Sequence, residues 1–354
     1  QALLAADSGA QLLCAPAPLF AGVLPGSLVD YGNYEHDLLR SLTSLASDLA
    51  DMGVVCLLPA IVPFDGGALF EVFMLREGRV VPTRLTLAQF RGDEDGAWMP
   101  PVFDVAGTRV AVTFDAARDL GELPTGCDLV VFFQVNGFCT ADEATAAVAA
   151  VGDGYFGDEV RRAGVWLAHV APVGGFEEAA YTGGSFVMDD SGRIVAAAPC
   201  FAEAQLVQDV ERGCTLPALG ARELPAFNRE EWLWEALRLH LRDTLADAGY
   251  GRAVVPLEGD LPSSLLAVLA VDALGSRNVF GLVVEGPDPM TPAGEARCAE
   301  RMSIAREVAA NLHIRLVERS VGEAAALLSR DAPMEGATAR RRLGRLYREL
   351  AGVS

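Results

Sequence analysis

Val173-Gly-Gly-Phe-Glu-Glu-Ala-Ala-Tyr-Thr-Gly-Gly-Ser-Phe-Val-Met-Asp-Asp-Ser-Gly-Arg-Ile-Val195 is the stretch on which the fold of this 354-residue chain turns. In its second half, two apolar runs, 185–188 and 194–197, flank Asp189, Asp190, Ser191 and Gly192. Those four residue types favour a tight turn, so the segment predicts a hairpin. The first half is glycine-rich around Glu177 and Glu178 and reads as a loop entering that hairpin.

Working outward, short runs rich in β-branched and apolar residues at 12–14, 54–58, 69–75, 110–114, 129–133 and 165–170 read as strands. Between them, residues 35–52 carry Leu38, Leu39, Leu42, Leu45, Ala46 and Leu49 at helical spacing, and 141–151 is Ala-rich behind a Thr140 cap. Both segments are expected to cover a sheet. A Pro- and Gly-containing connector, 215–227, then separates a first domain (1–214) from a second (228–354). There an amphipathic helix over 228–248, capped by Asn228 with Glu231 at the capping-box position, precedes a strand (253–257), a helix (263–274), a strand (279–284), a helix (293–312) and a strand (314–317). That order predicts a parallel sheet, and the second domain is expected to be doubly wound. A last helix, 337–351, carries Arg340, Arg341 and Arg342, which read as a solvated face.

Charge and composition narrow the function. A net charge of −20 opposes any grip on phosphate backbones or anionic lipid. Nucleic acid and membrane are therefore not expected as partners, and no apolar stretch is long enough to span a bilayer. Seven cysteines without metal-ligand spacing fit a reducing cytoplasm and no metal site. The chain contains no Lys, so its 28 cationic side chains of the Lys and Arg class are all Arg and lysine chemistry is excluded.

Set beside known families, 173–192 resembles the glutaminase segment of glutamine-dependent NAD+ synthetases, in which a Val-Gly-Gly-Gln-Asp-Glu turn leads to Gly-Gly-Ser-Phe. Ala198-Pro-Cys-Phe-Ala-Glu continues the pattern, and Gly9-Ala-Gln-Leu-Leu-Cys-Ala-Pro is similar to the family's first strand and its approach. In the second domain, 227–257 and 265–281 resemble the elements before and after the family's ATP loop. The resemblance implies a nitrilase-like α-β-β-α sandwich followed by a doubly wound ATP-pyrophosphatase-type domain. It also implies a β-strand ahead of residue 1 and further segments completing the dinucleotide site beyond residue 354.

The family's glutaminase chemistry uses a Glu base, a Lys that stabilises the oxyanion and a Cys nucleophile. By resemblance, these positions fall on Ala17, Arg84 and Asp115. Ala17 has no proton acceptor, Arg84 is a bulkier forked cation, and Asp115 cannot form a thioester. Cys127 and Cys139 flank the next strand and read as core or loop thiols. Glu177 and Glu178 stand where the family binds substrate, and are read either as retained binding residues or as surface charge. Opposite charges at Arg84 and Asp115 suggest that the two pair and plug the former pocket.

The family's ATP loop, Ser-Gly-Gly-Ile-Asp-Ser, matches Glu258-Gly259-Asp260-Leu261-Pro262-Ser263. Two carboxylates replace phosphate-facing positions, Pro262 removes an N–H donor, and only Gly259 and Ser263 match. Gly259 is explained equally well by a tight turn and Ser263 by the start of a helix.

The resulting expectation is an inactive scaffold or regulator without cofactor, where the family uses ATP and Mg2+. It would act as a homo-oligomer or in association with a related synthetase. Two alternatives stay open: a hydrolase or ligase of altered chemistry using Asp115 or Glu177 and Glu178, and a module that binds a small amide or nucleotide without turnover.

Overall fold

A computed structural model describes residues 2–17, 32–64, 67–83, 102–123, 126–141, 151, 154, 156–176, 179–211, 224, 226–285 and 292–320. The chain forms two compact units, Gln1–Ala236 and Leu237–Ser354. Most of the expected helix over 141–151 and of the expected connector 215–227, and all of the expected helix over 337–351, lie outside the described residues.

The first unit contains two sheets. One has four strands in the order β1-β2-β3-β4: β1 (Leu12–Cys14), β2 (Val55–Phe64), β3 (Gly67–Arg76) and β4 (Arg79–Pro82). The other has six, in the order β12-β11-β8-β7-β6-β5: β5 (Val102–Val105), β6 (Thr108–Thr113), β7 (Leu129–Phe133), β8 (Trp166–Val170), β11 (Phe186–Met188) and β12 (Ile194–Ala197). The period-two geometry of strands sorts the apolar residues onto their two faces. On β7, Leu129, Val131 and Phe133 join Val55, Leu57 and Val72 of the other sheet in one core. Val130, from the opposite face of β7, packs in a second core with Val160 of α4 (Gly157–Ala163).

On the outer face of the four-stranded sheet, Leu38, Leu42 and Ala46 of α2 (Tyr34–Asp48) meet Cys56, Leu58, Phe73 and Leu75. The layers are therefore helix, sheet, sheet, helix, the expected α-β-β-α sandwich. A short helix, α1 (Ala2–Asp7), leads into β1, and a one-turn helix, α3 (Ala116–Asp119), follows β6.

β2 runs six residues beyond the expected 54–58, through Pro59 and Pro63. The hydrogen bond from Ala15 N–H to Leu57 O at 3.1 Å shows that Leu57 turns its backbone toward β1, and β1 pairs no further than Leu57. Alternation places Pro59 and Pro63 on that same edge, now unpaired, where a missing N–H costs no ladder bond.

The turn at 189–192 forms as expected between β11 and β12. The buried Asp189 fastens it: Oδ1 accepts from Ser191 N–H (3.0 Å), Ser191 Oγ–H (2.6 Å) and Arg193 N–H (2.9 Å), and Oδ2 accepts from the Arg193 guanidinium (3.0 Å). Burial opposes ionisation of this carboxyl, but the Ser191 and Arg193 hydrogen bonds outweigh it and hold the pKa below the ordinary range. Asp189→Ala is expected to cost about 2 kcal/mol, read as a lower urea midpoint, because two backbone donors lose their acceptor. The contribution is present above the ordinary carboxylate pKa and is lost as pH falls through the depressed folded value.

The long helix α5 (Arg229–Asp247) is capped as expected, with Asn228 Oδ1 accepting Glu231 N–H at 3.1 Å. Its Trp232 is buried among Phe138, Phe201 and Phe227, so the first turns of α5 belong to the first unit. The second unit holds a parallel sheet in the order β13-β14-β15: β13 (Ala253–Pro256), β14 (Val279–Glu285) and β15 (Arg315–Ser320). The crossovers are α6 (Leu261–Leu274) and α7 (Pro292–Asn311), whose Ala267, Ala270, Ala305 and Ala309 share a core with Val255, Leu257 and Val283. Small residues on both helices let them lie close to the sheet.

Candidate functional sites

Of the positions matched to the glutaminase chemistry, Ala17 packs in the inter-sheet core and Asp115, just beyond the end of β6, is exposed. Ala17, three residues after β1, is buried beside Val112, Val131 and Phe133, with Phe114 packed on the same cluster. Phe114 contacts the rings of Phe70 and Phe133 at centroid separations of 5.2 and 6.0 Å. Methyl and aromatic groups therefore pack on one side of the place where a base would work.

Asp115, directly after Phe114, is spent on local structure. It caps α3, with its carboxylate accepting Arg118 N–H at 3.3 Å, while its own N–H donates to Thr113 Oγ1 at 2.8 Å. Thr113 Oγ–H in turn donates to Asp119. Arg84, Glu177 and Glu178 lie outside the described residues, so the expected pairing of Arg84 with Asp115 is not among the described contacts.

Cys14, Cys127 and Cys200 make poor substitute nucleophiles. Cys127 is buried, its thiol donates to the Leu129 carbonyl at 3.4 Å, and burial raises its pKa. Burial pushes Cys14 up to about 12, with Cys56 adding to the effect, and Cys200 up to about 11. A thiol held in that range supplies almost no thiolate at neutral pH. Cys139 is exposed.

Sequence reasoning missed Glu71. It is fully buried on β3, and its Oε1 accepts from Val72 N–H (2.7 Å), Thr83 N–H (2.9 Å) and Thr83 Oγ–H (3.2 Å). This carboxylate ties the middle of β3 to the residue immediately before Arg84. A lone charge inside the apolar run Leu69-Phe-Glu-Val-Phe-Met-Leu was the available signal.

In the second unit, the matched ATP loop is closed on itself. Asp260, and not Ser263, caps α6, which begins at Leu261, two residues earlier than expected. Its Oδ1 accepts Ser263 N–H at 3.0 Å, and Pro262 sits in the first turn, where a missing N–H is harmless. Of the three first-turn donors that would face an anion, one is absent and another is taken. Ser263 Oγ accepts Glu258 N–H at 3.0 Å, so that donor too is turned inward.

Arg301 of α7 completes the closure, donating to the Glu258 carbonyl (2.8 Å) and carboxylate (3.0 Å). Hydrogen bonds from Ser263, its hydroxyl first and its backbone second, keep the Asp260 carboxyl below its ordinary pKa, with Arg301 adding to the effect. At neutral pH the helix N-terminus therefore carries its own anion. Among the described residues, no cluster of His, Cys, Asp and Glu could hold a metal ion, and no helix is long and apolar enough to cross a membrane.

A cavity of about 670 Å3 opens in the first unit. Ala17 is among the residues of its wall.

Comparison with known proteins gives one consistent direction. A family model described as NAD synthase matches residues 233–344. A glutamine-dependent NAD(+) synthetase of Synechocystis sp. is 38% identical over 129 residues, which are 36% of this chain and 23% of that protein. One of Rhodobacter capsulatus is 26% identical over 324 residues, 86% of this chain and 56% of the relative. The solved glutamine-dependent NAD+ synthetase of Acinetobacter baumannii, in complex with adenosine diphosphate, superposes with a TM-score of 0.71 at 17% identity, covering 100% of this chain and 68% of that one. That likeness shows a shared fold. The chain spans about half the length of the curated relatives it matches along most of its own sequence.

Proposed function

We propose, from the premise that this chain belongs to the glutamine-dependent NAD+ synthetase family, that it is a pseudoenzyme. In this reading it hydrolyses no glutamine and carries out no ATP-dependent amidation of deamido-NAD+. It serves as a scaffold or regulator, as a homo-oligomer or bound to a related active synthetase in the cytoplasm.

The observation that carries the reading is the ATP-type loop. Pyrophosphate binding at a helix N-terminus needs free backbone donors and no fixed negative charge. Here the Asp260 carboxylate occupies the first turn, Arg301 is engaged by Glu258, and Pro262 offers no N–H. The first unit supports the same reading, since the position of the base is Ala17, packed in an apolar cluster, and Asp115 caps a helix.

Titration calorimetry with ATP and Mg2+, and separately with glutamine, tests the binding side of the proposal. No heat of binding is expected at ligand concentrations up to about 1 mM, where a tenfold excess over Kd would stabilise by about 1.4 kcal/mol. Mg2+ or a chelator should likewise leave the thermal transition unmoved. Saturable ATP binding well below about 0.1 mM would count against the proposal.

A further inference from the structure

The hairpin of β9 (Val173–Phe176) and β10 (Ala179–Thr182) is a two-stranded sheet of its own, hydrogen-bonded into neither of the larger sheets of the first unit. An isolated pair of short strands is marginal by itself. Two of the four residues of β9 are Gly174 and Gly175, which bring no side chain to pack. What holds the hairpin must therefore come from outside it.

The open edge of β10 shows what does. Ala180 and Thr182 are two residues apart, so their carbonyls lie on one edge, turned away from β9. Phe138 N–H donates to Ala180 O at 2.8 Å, and Phe201 N–H donates to Thr182 O at 2.7 Å. Gly137 permits the approach of the first donor, because a Cβ there would stand 2.8 Å from the Cβ of Ala179.

The side chains of both donor residues converge on one ring. Trp232, buried near the start of α5, meets Phe201 in a T-shaped contact at 5.0 Å between centroids, Phe227 at 5.3 Å and Phe138 at 6.2 Å. Arg229, the first residue of α5, donates to Thr140 O at 3.0 Å and fixes that end of the helix beside the segment carrying Phe138.

Phe201 is strained where it makes these contacts. Its φ is +59°, a left-handed conformation disfavoured roughly tenfold for an L-residue and rarer still for a bulky one. Such a conformation persists only where its surroundings over-determine it. Here the Thr182 carbonyl holds the N–H and Trp232 holds the ring. Without Trp232, Phe201 gains by turning to negative φ, and that rotation carries its N–H away from Thr182.

We propose that Phe201 and Trp232 form a strained catch with two states. With Trp232 seated, Phe201 stays left-handed and β10 is pinned along its open edge. With Trp232 withdrawn, Phe201 relaxes, the bond to Thr182 is lost, and β9 and β10 are released together. The first turn of α5 thereby controls the order of the two strands between which Glu177 and Glu178 lie in sequence, whether or not the chain is catalytically silent.

Residue-resolved hydrogen exchange, corrected for intrinsic rates, tests the catch. Trp232→Ala is expected to speed exchange at the amides of Phe138 and Phe201 by about tenfold or more, while the β7 amides stay as slow as before. Trp232→Phe, which keeps a ring, should restore most of the protection. Strain has its own signature. In the Trp232→Ala background, Phe201→Gly should slow exchange at position 201 about tenfold relative to Phe201→Ala, because only glycine is at ease with the left-handed conformation. Ring packing without strain predicts no difference between the two.

Unchanged exchange at Phe138 and Phe201 in Trp232→Ala would overturn the proposal, and so would equal exchange in the two double variants. Equal acceleration across β7 would also overturn it, by making the aromatic cluster part of the global core. Should Trp232→Ala fail to fold, Phe201→Gly and Phe201→Ala in the otherwise unaltered chain decide: the glycine variant is expected to exchange more slowly at position 201, and equal rates would contradict the catch.

Discussion

Replacing Gly259 by Ala is expected to destabilise the second unit by about 4 kcal/mol. Gly259 has φ +70°, a region that costs an L-residue about 1–2 kcal/mol. A Cβ built there would also stand 2.0 Å from the backbone carbonyl oxygen of Arg301, so α7 would have to move. Overpacking of that kind adds about 1–3 kcal/mol. Calorimetry should show the corresponding transition lowered by on the order of 15 °C, with faster hydrogen exchange in β13, β14 and β15. An unchanged transition would mean that the loop does not pack on α7 as described, and the self-closed reading of the ATP loop would lose its support.

Acid is the second large lever, acting through His169. Its ring is buried between Phe186, at a centroid distance of 4.7 Å, and Phe132, at 5.2 Å, and Nε2–H donates to Gln134 Oε1 at 2.9 Å. Burial drives its pKa down to about 3, with the Gly184 backbone pulling weakly the other way. Because the folded value lies below the unfolded one, the stabilisation is complete above about pH 6.5 and is lost as pH falls toward 3. The slope approaches about 1.4 kcal/mol per pH unit, so about 3 kcal/mol should vanish between pH 7 and pH 4.5. His169→Gln retains a donor for Gln134 and should remove that slope while lowering stability at pH 7. Parallel pH profiles of the two proteins in urea titrations would contradict the assignment.

Sequence patterns located most of the elements, and the exceptions have identifiable causes. Residues 129–133 and 194–197 are strands with the expected bounds, because buried apolar runs ending at turn residues leave little choice. The glycine-rich stretch instead forms a further hairpin, β9 (Val173–Phe176) and β10 (Ala179–Thr182), with Gly174 opposite Tyr181. Glycine lowers strand propensity locally, and the pairing that overrides it is a tertiary fact. β4 and β5 were overlooked for a related reason, being four-residue edge pieces defined by their partners β3 and β6.

The candidate sites were legible as substitutions and not as arrangements. Sequence alone put Ala, Asp and a carboxylate-bearing loop where the family has reacting groups. It could not tell that Asp115 and Asp260 each become helix caps, because a cap depends on backbone geometry only the folded chain supplies. The same change explains both sites: each carboxylate now stabilises the helix it precedes. Arg301 and Glu71, which fix the surroundings, are far in sequence from the groups they hold or adjoin, and no motif carried them.

The central claim is loss of both reactions, and a paired turnover assay addresses it most directly. The purified chain would be supplied with glutamine, ATP, Mg2+ and deamido-NAD+, with free ammonia from glutamine and new NAD+ measured separately, and ammonium chloride replacing glutamine in a parallel series. No turnover above the protein-free rate is expected in any of the series. Ammonia released in proportion to protein, or NAD+ formed from either nitrogen source, would contradict the account.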